Sequence, residues 1–355
     1  MEKNIKNNDN KVSENDKSKV LLNVENLSVS FNTYAGEVKA VRGVSFHVNR
    51  GETLAFVGES GCGKSVTAKS VMRLLPKRNA EIKKGSIITY DGEDVLKMDN
   101  KRLTQLRGGD ISMIFQDPMT SLNPTMKIGN QIIEALKIHR NMSGKEAKDE
   151  AAKLLDIVQI PEARKRLSAY PHELSGGMRQ RVMIAIALSC SPNLLIADEP
   201  TTALDVTIQA QILDLLNKLK EELDTAIILV THDLGVVANF ADRIQVMYAG
   251  EIVEEGTTRE IFNESRHPYT WALLNSIPKV NQKDQDLRAL GGTPPDLLLP
   301  LKGCPFAPRC SKAMAVCKMH HPSKTGKSDT HSVRCFLEHP NAPEIDYDAM
   351  RRGEY

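Results

Sequence analysis

The residues with the clearest chemistry form one eight-residue stretch, Gly58-Glu-Ser-Gly-Cys-Gly-Lys64-Ser65. The stretch matches the phosphate-binding pattern G-x-x-x-x-G-K-[ST] at every fixed position. Its glycines allow the backbone to wrap closely round a phosphate with the N–H groups pointing inward, and a helix that begins there adds a favourable dipole. We expect Lys64 to contact the β- and γ-phosphates and the Ser65 hydroxyl to coordinate Mg²⁺. The stretch therefore predicts a site for a nucleoside triphosphate.

Two adjacent carboxylates, Asp198 and Glu199, follow the apolar run Leu194–Ala197. Phosphoryl transfer needs a carboxylate near Mg²⁺ and a group that orients or deprotonates the attacking water. We assign the first role to Asp198 and the second to Glu199. A solvated acidic turn after a strand would leave the same pattern, so the assignment depends on the phosphate loop that precedes it.

Two further polar residues follow apolar runs. Gln116 comes after Ile111–Phe115 and could touch Mg²⁺ or the attacking water. His232 comes after Ala226–Val230 and could hydrogen-bond the γ-phosphate. Taken alone, each residue could equally be an ordinary loop residue or a histidine with a structural hydrogen bond. Their candidacy as catalytic residues depends on the neighbouring motifs.

The elements that must position these residues have the pattern of an α/β core. An apolar run, Thr53–Val57, leads into the phosphate loop, and a helical pattern follows the loop until Pro76. The runs before Asp198 and His232 are continuously apolar, which is typical of parallel strands covered on both faces. A helix with one apolar face over Ile208–Leu223 separates those two runs. Strand, helix and strand in this order predict an α/β core.

Other regions flank this core. Alternating apolar and polar residues between 20 and 48 predict antiparallel strands that are exposed on one face. Residues from about 120 to 190 carry helical patterns and form an expected helical subdomain. Beyond about 280 the chain is rich in Pro, Gly, Lys and Cys and has little periodicity. We expect a disordered tail at 1–19, a nucleotide-binding domain at 20–280 and a separate extension at 281–355.

Composition narrows the class of protein. The chain has 355 residues, 41% of them hydrophobic and 26% charged, as in ordinary globular proteins. A formal net charge of +2 gives no reason to expect a nucleic-acid partner. We find no apolar run of about 20 residues that could span a bilayer, and the polar start is not a secretory signal. We therefore expect a cytosolic protein with reduced cysteines that reaches a membrane only through a partner.

The combination of motifs resembles the ATP-binding-cassette ATPases over residues 20 to 280. The decisive feature is the signature Leu174-Ser175-Gly176-Gly177, since phosphate loops also occur in many unrelated nucleotide hydrolases. The resemblance implies a P-loop nucleotide hydrolase fold with a RecA-like mixed sheet, an antiparallel β subdomain and a helical subdomain that carries the signature. Each remaining motif has a counterpart: the Walker A loop Gly58–Ser65, the Q-loop Gln116, the Walker B pair Asp198 and Glu199, the D-loop Ala203-Leu204-Asp205 and the switch His232.

The resemblance also implies that an aromatic residue ahead of the Walker A loop stacks on adenine. Phe31 fits this role best by spacing, and Tyr34 is the second candidate; a half-buried strand aromatic is the alternative. In this family two cassettes pack head to tail, so that Ser175 and the N–H groups of Gly176 and Gly177 face the γ-phosphate of the partner. The predicted nucleotide contacts are Phe31, Gly58, Glu59, Ser60, Gly61, Cys62, Gly63, Lys64, Ser65, Val66, Gln116, Ser175, Gly176 and Gly177, and the predicted Mg²⁺ ligands are Ser65, Gln116 and Asp198.

A finer resemblance is to the ATP-binding subunits of bacterial oligopeptide, dipeptide and nickel importers. It rests on the segments 116–124, 170–185, 198–211, 267–270 and 294–310. Met178 follows the signature at a position where many cassettes have Gln. Within this importer group, Met at that position resembles the first of the two paired ATPase subunits. The resemblance implies an ATPase at the cytoplasmic face of the membrane, paired with a second ATPase that is a paralogue. It also implies two membrane permeases and, indirectly, an extracytoplasmic binding protein. A nickel importer and a soluble cassette ATPase remain as alternatives.

Four cysteines cluster in the extension: Cys304, Cys310, Cys317 and Cys335. In a reducing compartment such a cluster suggests metal ligation. The spacing C-x5-C-x6-C-x17-C lacks the close pairs that are usual for structural Zn²⁺, whereas a [4Fe–4S] cluster takes four thiolates and tolerates wider spacing. The resemblance also favours the iron–sulfur cluster, because relatives of this importer group carry one in the same extension. We expect a [4Fe–4S] cluster, with Zn²⁺ and free thiols as alternatives, and a structural role for it.

Overall fold

The computed structural model describes residues 20–201, 206–277 and 290–352. Its strands are β1 (Val20–Thr33), β2 (Gly36–Asn49), β3 (Thr53–Val57), β4 (Ala80–Ile82), β5 (Ile87–Tyr90), β6 (Glu93–Asp94), β7 (Ile111–Ile114), β8 (Leu194–Asp198), β9 (Ala226–Thr231), β10 (Arg243–Tyr248), β11 (Glu251–Thr257), β12 (Thr325–Gly326) and β13 (Ser332–Val333). Its α-helices are α1 (Lys64–Val71), α2 (Asn100–Leu106), α3 (Pro118–Ser121), α4 (Ile128–Arg140), α5 (Gly144–Ile157), α6 (Ala163–Arg166), α7 (Gly176–Leu188), α8 (Val206–Leu223), α9 (Leu234–Val237), α10 (Thr258–Glu264), α11 (Pro268–Asn275), α12 (Ala315–Met319) and α13 (Tyr347–Arg352).

An antiparallel sheet forms the first part of the chain. Strands β1 and β2 pair along their length, and β4 and β5 pair with β1. Alternate residues such as Val24 and Phe46 point into a core that also contains Leu54 and Phe56 of β3. The alternating pattern predicted these antiparallel strands, although each of the first two is 14 residues long and includes register shifts.

The second sheet has the order β12-β13-β11-β10-β3-β9-β8-β7. Strands β10, β3, β9, β8 and β7 run parallel to one another, and every residue of β3, β8 and β9 is buried. This agrees with the expectation for parallel strands that are covered on both faces. Since parallel strands end on the same side, the segments after β3, β7, β8 and β9 meet along one edge.

Helices α4, α5 and α7 form the helical subdomain. Ser143 caps α5 through a capping box with Glu146, so the start of that helix is fixed locally. Helix α7 is buried along most of its length, as its continuous apolar run predicted. Arg181 on α7 donates to Val158 O at 2.8 Å and to Gln211 Oε1 at 2.9 Å, which ties the subdomain to α8.

The C-terminal extension joins the second sheet and its core. Strand β13 pairs with β11, and Phe306 packs in the main hydrophobic core. Buried His331 Nε2 lies 2.9 Å from Glu254 Oε1, a hydrogen bond that holds the extension against β11. The expectation of a separate appendage based on low periodicity missed this packing, because short strands and paired side chains leave no periodic signal. None of the helices in the described ranges combines the length and apolar character needed to cross a membrane.

Candidate functional site

The phosphate loop connects β3 to α1. Gly58 has φ +150° and a Cβ there would lie 2.3 Å from Met247 O, while Gly63 has φ +105° and a Cβ there would lie 2.6 Å from Ala40 O. Because both glycines combine left-handed backbone with a close backbone neighbour, no larger residue fits without a shift of the chain. Gly63 is the N-cap of α1, so the loop ends at a helix N-terminus that can receive an anion.

Lys64 is the first residue of α1, and its side chain is buried in the loop. Its ammonium donates to Gly58 O at 2.7 Å and to Glu59 O at 2.9 Å. Cys62 Sγ lies 3.7 Å away, and burial raises the pKa of the Cys62 thiol while Lys64 opposes that shift. The loop therefore holds one positive charge at its centre, where a phosphate group would lie.

Ser65 and Asp198 are the candidate Mg²⁺ ligands. The Ser65 hydroxyl donates to Asp198 Oδ1 at 2.6 Å, so the loop and the end of β8 meet. Asp198 is fully buried, and its Oδ2 atom accepts no hydrogen bond from the described residues, although Lys69 Nζ lies 3.5 Å away. A buried carboxylate oxygen with that spare capacity, beside a serine hydroxyl, is the donor set that Mg²⁺ prefers.

Glu199, Gln116 and His232 converge beside this pair. Gln116 Nε2 donates to Glu199 Oε2 at 2.9 Å, and His232 Nδ1 lies 3.5 Å from Glu199 Oε1. Glu199 has φ +49°, a left-handed conformation that is unusual for a residue with a Cβ, and its N–H donates to Val230 O at 2.8 Å. The backbone bond to β9 thus aims the Glu199 side chain at the same edge as the other two.

The signature residues stand at the start of α7. Ser175 is the N-cap and its hydroxyl accepts from the N–H of Met178 at 3.3 Å. Ser175 and Gly176 are exposed, and a Cβ on Gly176 would meet nothing within 4 Å. The helix therefore presents an open N-terminus to the exterior of this chain. The predicted D-loop, Ala203-Leu204-Asp205, lies outside the described residues.

The two candidate adenine-stacking residues differ in exposure. Phe31 is half-buried on β1 and packs against the core of the antiparallel sheet, whereas Tyr34 lies fully exposed in the β1–β2 turn. The prediction that Phe31 stacks on adenine stays a prediction. Val66 is half-buried in the first turn of α1, next to Ser65.

Two residues near the site were missed by the sequence reasoning. Lys69 lies on α1 one turn after Ser65 and contacts Asp198. Residues four apart lie on the same face of a helix, so this spacing from Ser65 could have indicated that Lys69 lies near Asp198. Arg309, in the extension, binds the carboxylate of Glu59 in the phosphate loop with two hydrogen bonds of 2.6 and 2.9 Å. The two residues are 250 positions apart, and no local pattern could have connected them.

The four clustered cysteines line one small cavity together with His267, Phe306 and Leu337. None of the four forms a disulfide, and the cavity holds about 10 Å³ of free space, room for about one water molecule. Burial raises the pKa of Cys310 to about 11 and also raises the pKa values of Cys304 and Cys335. Within the described ranges, no group of three or more His, Cys, Asp or Glu side chains has the geometry of a metal site. The thiols share a cavity, but they are not arranged as ligands.

Together with the mixed sheet, the loop, the strand-end carboxylates and the signature helix define an ATP-binding cassette. The ABC transporter family matches residues 41–202, and the oligopeptide/dipeptide transporter C-terminal region matches residues 253–317. The oligopeptide transport ATP-binding protein OppD of Bacillus subtilis is 55% identical over 92% of this chain and 91% of its own length. The chain therefore belongs to the ABC transporter family, in the group of oligopeptide and dipeptide transport ATP-binding proteins, and it is an ATPase.

Other similar proteins belong to the same group of transport ATP-binding proteins. The dipeptide transport ATP-binding protein DppD of Bacillus subtilis is 53% identical over 91% of this chain and 96% of its own length. The OppD protein of Escherichia coli is 54% identical over 85% of this chain and 89% of its own length. Among solved structures, the dimeric ATP-binding cassette MJ0796 in a post-hydrolysis state bound to ADP and Pi matches with a TM-score of 0.61 and 29% identity, over 67% of this chain and 99% of that chain. The predicted cassette fold is thus confirmed.

Proposed function

We propose that this chain is the first of two paired ATPase subunits that drive the import of dipeptides or oligopeptides through two membrane permeases. The observation that carries the proposal is the convergence of Gln116, Glu199 and His232 beside the Ser65–Asp198 pair. Four of these residues lie at or directly after the ends of β7, β8 and β9, and Ser65 lies in the first turn of α1. Together they form one half of a hydrolytic site. The exposed start of α7 supplies the other half to a second cassette.

Each residue then has a role in phosphoryl transfer. Lys64 and the loop N–H groups bind the phosphates. Ser65 and Asp198 would hold Mg²⁺, which supplies positive charge that offsets the charge of the phosphates. Glu199 accepts a proton from the water that attacks the γ-phosphorus as the bond to the bridging oxygen breaks. Gln116 and His232, each within 3.5 Å of a Glu199 carboxylate oxygen, orient that water and contact the γ-phosphate.

The partner cassette completes the site. Ser175 and the N–H groups at the start of α7 donate to the γ-phosphate that is held by the other cassette, and its signature does the same here. A paralogue in the second position agrees with Met178 in this chain. Closure of the pair requires ATP, and hydrolysis releases it, so the nucleotide controls a mechanical cycle.

The segment 116–124 is the proposed contact with the permeases. It begins at Gln116, which contacts Glu199, and the preceding Phe115 ring is exposed. An exposed aromatic next to a catalytic contact can transmit a permease movement to the site. Contact with the permeases would place the subunit at the cytoplasmic face of the membrane. An extracytoplasmic binding protein would meet the permeases and not this chain.

Uptake measurements test the cargo. The chain, its paralogue and the permeases from neighbouring reading frames are reconstituted in vesicles with the binding protein, and ATP hydrolysis is measured with dipeptides, longer peptides and nickel chelates. Stimulation by peptides together with their accumulation would support the proposal. Stimulation by nickel chelates alone would replace peptide import with metal import. ATP hydrolysis that is indifferent to permeases and cargo would point to a soluble cassette ATPase.

We further propose that Cys304, Cys310, Cys317 and Cys335 bind a [4Fe–4S] cluster. Four thiols on one cavity provide the donor set, although the free space is far smaller than a cluster and the cysteine segments would have to move apart. Zn²⁺ is the second candidate, since it also binds four cysteine thiolates and is smaller than a cluster. Either group would hold four separate stretches of the extension together.

Anaerobic purification followed by iron, sulfide and zinc analysis and a visible absorption spectrum distinguishes the candidates. Iron and sulfide in equal amounts with visible absorption would support the cluster, and a colourless zinc-loaded protein would exclude it. Cys310→Ser should lose the bound metal, whereas Cys190→Ser, a matched change outside the cavity, should keep it. If the anaerobically purified wild-type protein contains neither iron nor zinc, the four residues are ordinary thiols.

A further inference from the structure

Arg309 joins the C-terminal extension to the phosphate loop. Arg309 Nη1 and Nη2 donate to the two carboxylate oxygens of Glu59 at 2.6 and 2.9 Å, the two-pronged geometry that favours arginine over lysine. The Arg309 side chain is 3% exposed and the Glu59 side chain 27% exposed, so the pair is partly shielded from water. Glu59 is the second residue of the phosphate loop.

All five N–H donors of Arg309 have acceptors. Besides the two bonds to Glu59, Nη1 donates to Tyr248 OH at 3.3 Å, Nε donates to Gly291 O at 2.9 Å and Nη2 donates to Leu290 O at 3.4 Å. The guanidinium is therefore fixed by the core strand β10 and by the start of the extension. Its hydrogen bonds to Glu59 and Tyr248 also hold the pKa of Arg309 above its usual value.

Glu59 is restrained at its backbone as well. Its N–H donates to Tyr269 OH at 2.8 Å, and Tyr269 is fully buried on α11. Its carbonyl is one of the two that accept from the Lys64 ammonium. A change in the position of Glu59 would therefore move one of the groups that hold the phosphate-binding lysine.

The extension also covers the outer side of the loop. A cavity of about 190 Å³ separates the two, lined on the loop side by residues 59–62 and on the other side by Pro294, Pro295 and Leu297. Lys39 N–H on β2 donates to Leu297 O at 3.3 Å, which holds this segment in place. Glu59 lines this cavity and also accepts the two hydrogen bonds from Arg309.

We propose that Arg309 is a positioning residue for ATP binding, acting through Glu59 on the phosphate loop, a role that rests on the ATPase site proposed above. Arg309 does so in two ways. It neutralises a carboxylate in a loop that must accept a polyanionic triphosphate, and it keeps that carboxylate from pairing with Lys64. Arg309 directly precedes Cys310, which lines the cysteine cavity. The same segment therefore lines that cavity and positions the phosphate loop.

The test separates ATP affinity from turnover. Arg309→Gln leaves the Glu59 charge unpaired, so the KM and the directly measured Kd for ATP should rise about five- to tenfold while kcat changes less than about twofold. Arg309→Lys keeps the charge without the two-pronged geometry and should give an intermediate affinity. If Arg309→Gln does not fold, the lysine variant still reports on the role.

A double variant tests whether Arg309 affects ATP binding through Glu59. Glu59→Gln removes the charge that Arg309 neutralises, so Glu59→Gln with Arg309→Gln should bind ATP more tightly than Arg309→Gln alone and close to Glu59→Gln alone. His331→Gln disturbs the docking of the extension on Glu254 without touching the loop and should leave the KM for ATP within twofold of wild type.

Three results would overturn the inference. These are an unchanged ATP affinity in Arg309→Gln, a double variant as weak as Arg309→Gln, and an equal loss in His331→Gln, which would trace the effect to extension docking. Failure of the wild-type protein to bind or hydrolyse ATP would instead overturn the proposed site, so the two failures are distinguishable.

Discussion

The Ser65 hydroxyl donates to Asp198 Oδ1 at 2.6 Å, which joins two residues 133 positions apart in the chain. The bond ties the start of α1 to the carboxyl end of β8, where Asp198 is fully buried. A buried carboxylate is costly unless something offsets its charge, and the nearby Lys69 ammonium at 3.5 Å offsets it in part. A divalent cation bound by Ser65 and Asp198 would offset it further.

Asp198→Asn should separate metal binding from folding. The amide keeps an oxygen for the Ser65 hydroxyl but removes the charge, so ATP binding should lose its dependence on Mg²⁺ and hydrolysis should fall by about two orders of magnitude or more. Thermal stability should be unchanged or slightly raised, because a buried charge is removed. The measurements are ATP titrations with and without Mg²⁺ and a thermal melt. Asp233→Asn, after the neighbouring strand β9, is the control and should keep wild-type Mg²⁺ dependence.

Glu199→Gln should bind ATP but not turn it over. Glutamine is isosteric and can still accept from Gln116 Nε2, so ATP affinity should stay within about twofold, while kcat should fall about 10²- to 10⁴-fold because the proton acceptor is lost. Steady-state hydrolysis and equilibrium binding on the same preparation measure kcat and ATP affinity. Hydrolysis at the wild-type rate would remove Glu199 from the role of general base.

The part of the site that lies at strand ends could be predicted from the sequence. Each motif there combines an apolar strand with a polar residue directly after it, and both signals are local. Helix α1 was predicted less well: apolar spacing continues to Leu75, but the helix ends at Val71 and Arg73 has φ +53°. A left-handed residue ends a helix without leaving a mark in hydrophobic spacing.

Long-range contacts could not be predicted in the same way. Arg309 contacts Glu59 across 250 positions, and nothing in the residues around either one indicates the pairing. The cysteine segment lies far from the phosphate loop in sequence, yet β13 brings it onto the main sheet. The contacts between β11 carboxylates and the extension form only when the chain is folded. The sequence around each residue does not indicate its partner.

Glu260 should make the docking of the extension sensitive to acid. Burial alone would raise its pKa, but hydrogen bonds from Ser328, Thr257 and Thr330 outweigh that effect and lower the pKa of Glu260 to about 2. A carboxyl group with a lowered pKa in the folded state stabilises the protein above its unfolded value of 4.5, and this stabilisation is lost as the pH falls from 4.5 toward 2.

Denaturant titrations at pH 7 and at several values between 5 and 2.5 test this. Wild type should lose about 2 kcal/mol more of its free energy of unfolding over that range than Glu260→Gln does. The variant should already be destabilised at pH 7, because the amide accepts hydrogen bonds from Ser328 and Thr257 less strongly than the carboxylate. Parallel pH curves for the two proteins would contradict the lowered pKa.

Gly176→Asp should block the partner's site without harming this chain. A Cβ at Gly176 meets nothing within 4 Å, and an acidic residue in the first turn of α7 is favoured by the helix dipole, so the isolated chain should fold and bind ATP normally. In the assembled pair, the new carboxylate would face the γ-phosphate of the partner and repel it, and ATP hydrolysis should fall at least about tenfold. Gly144→Asp is the matched control, since Gly144 is the first residue of α5 and its Cβ position is equally open. Full hydrolysis by the Gly176→Asp pair, or an equal loss in Gly144→Asp, would show that the start of α7 does not complete a second nucleotide site.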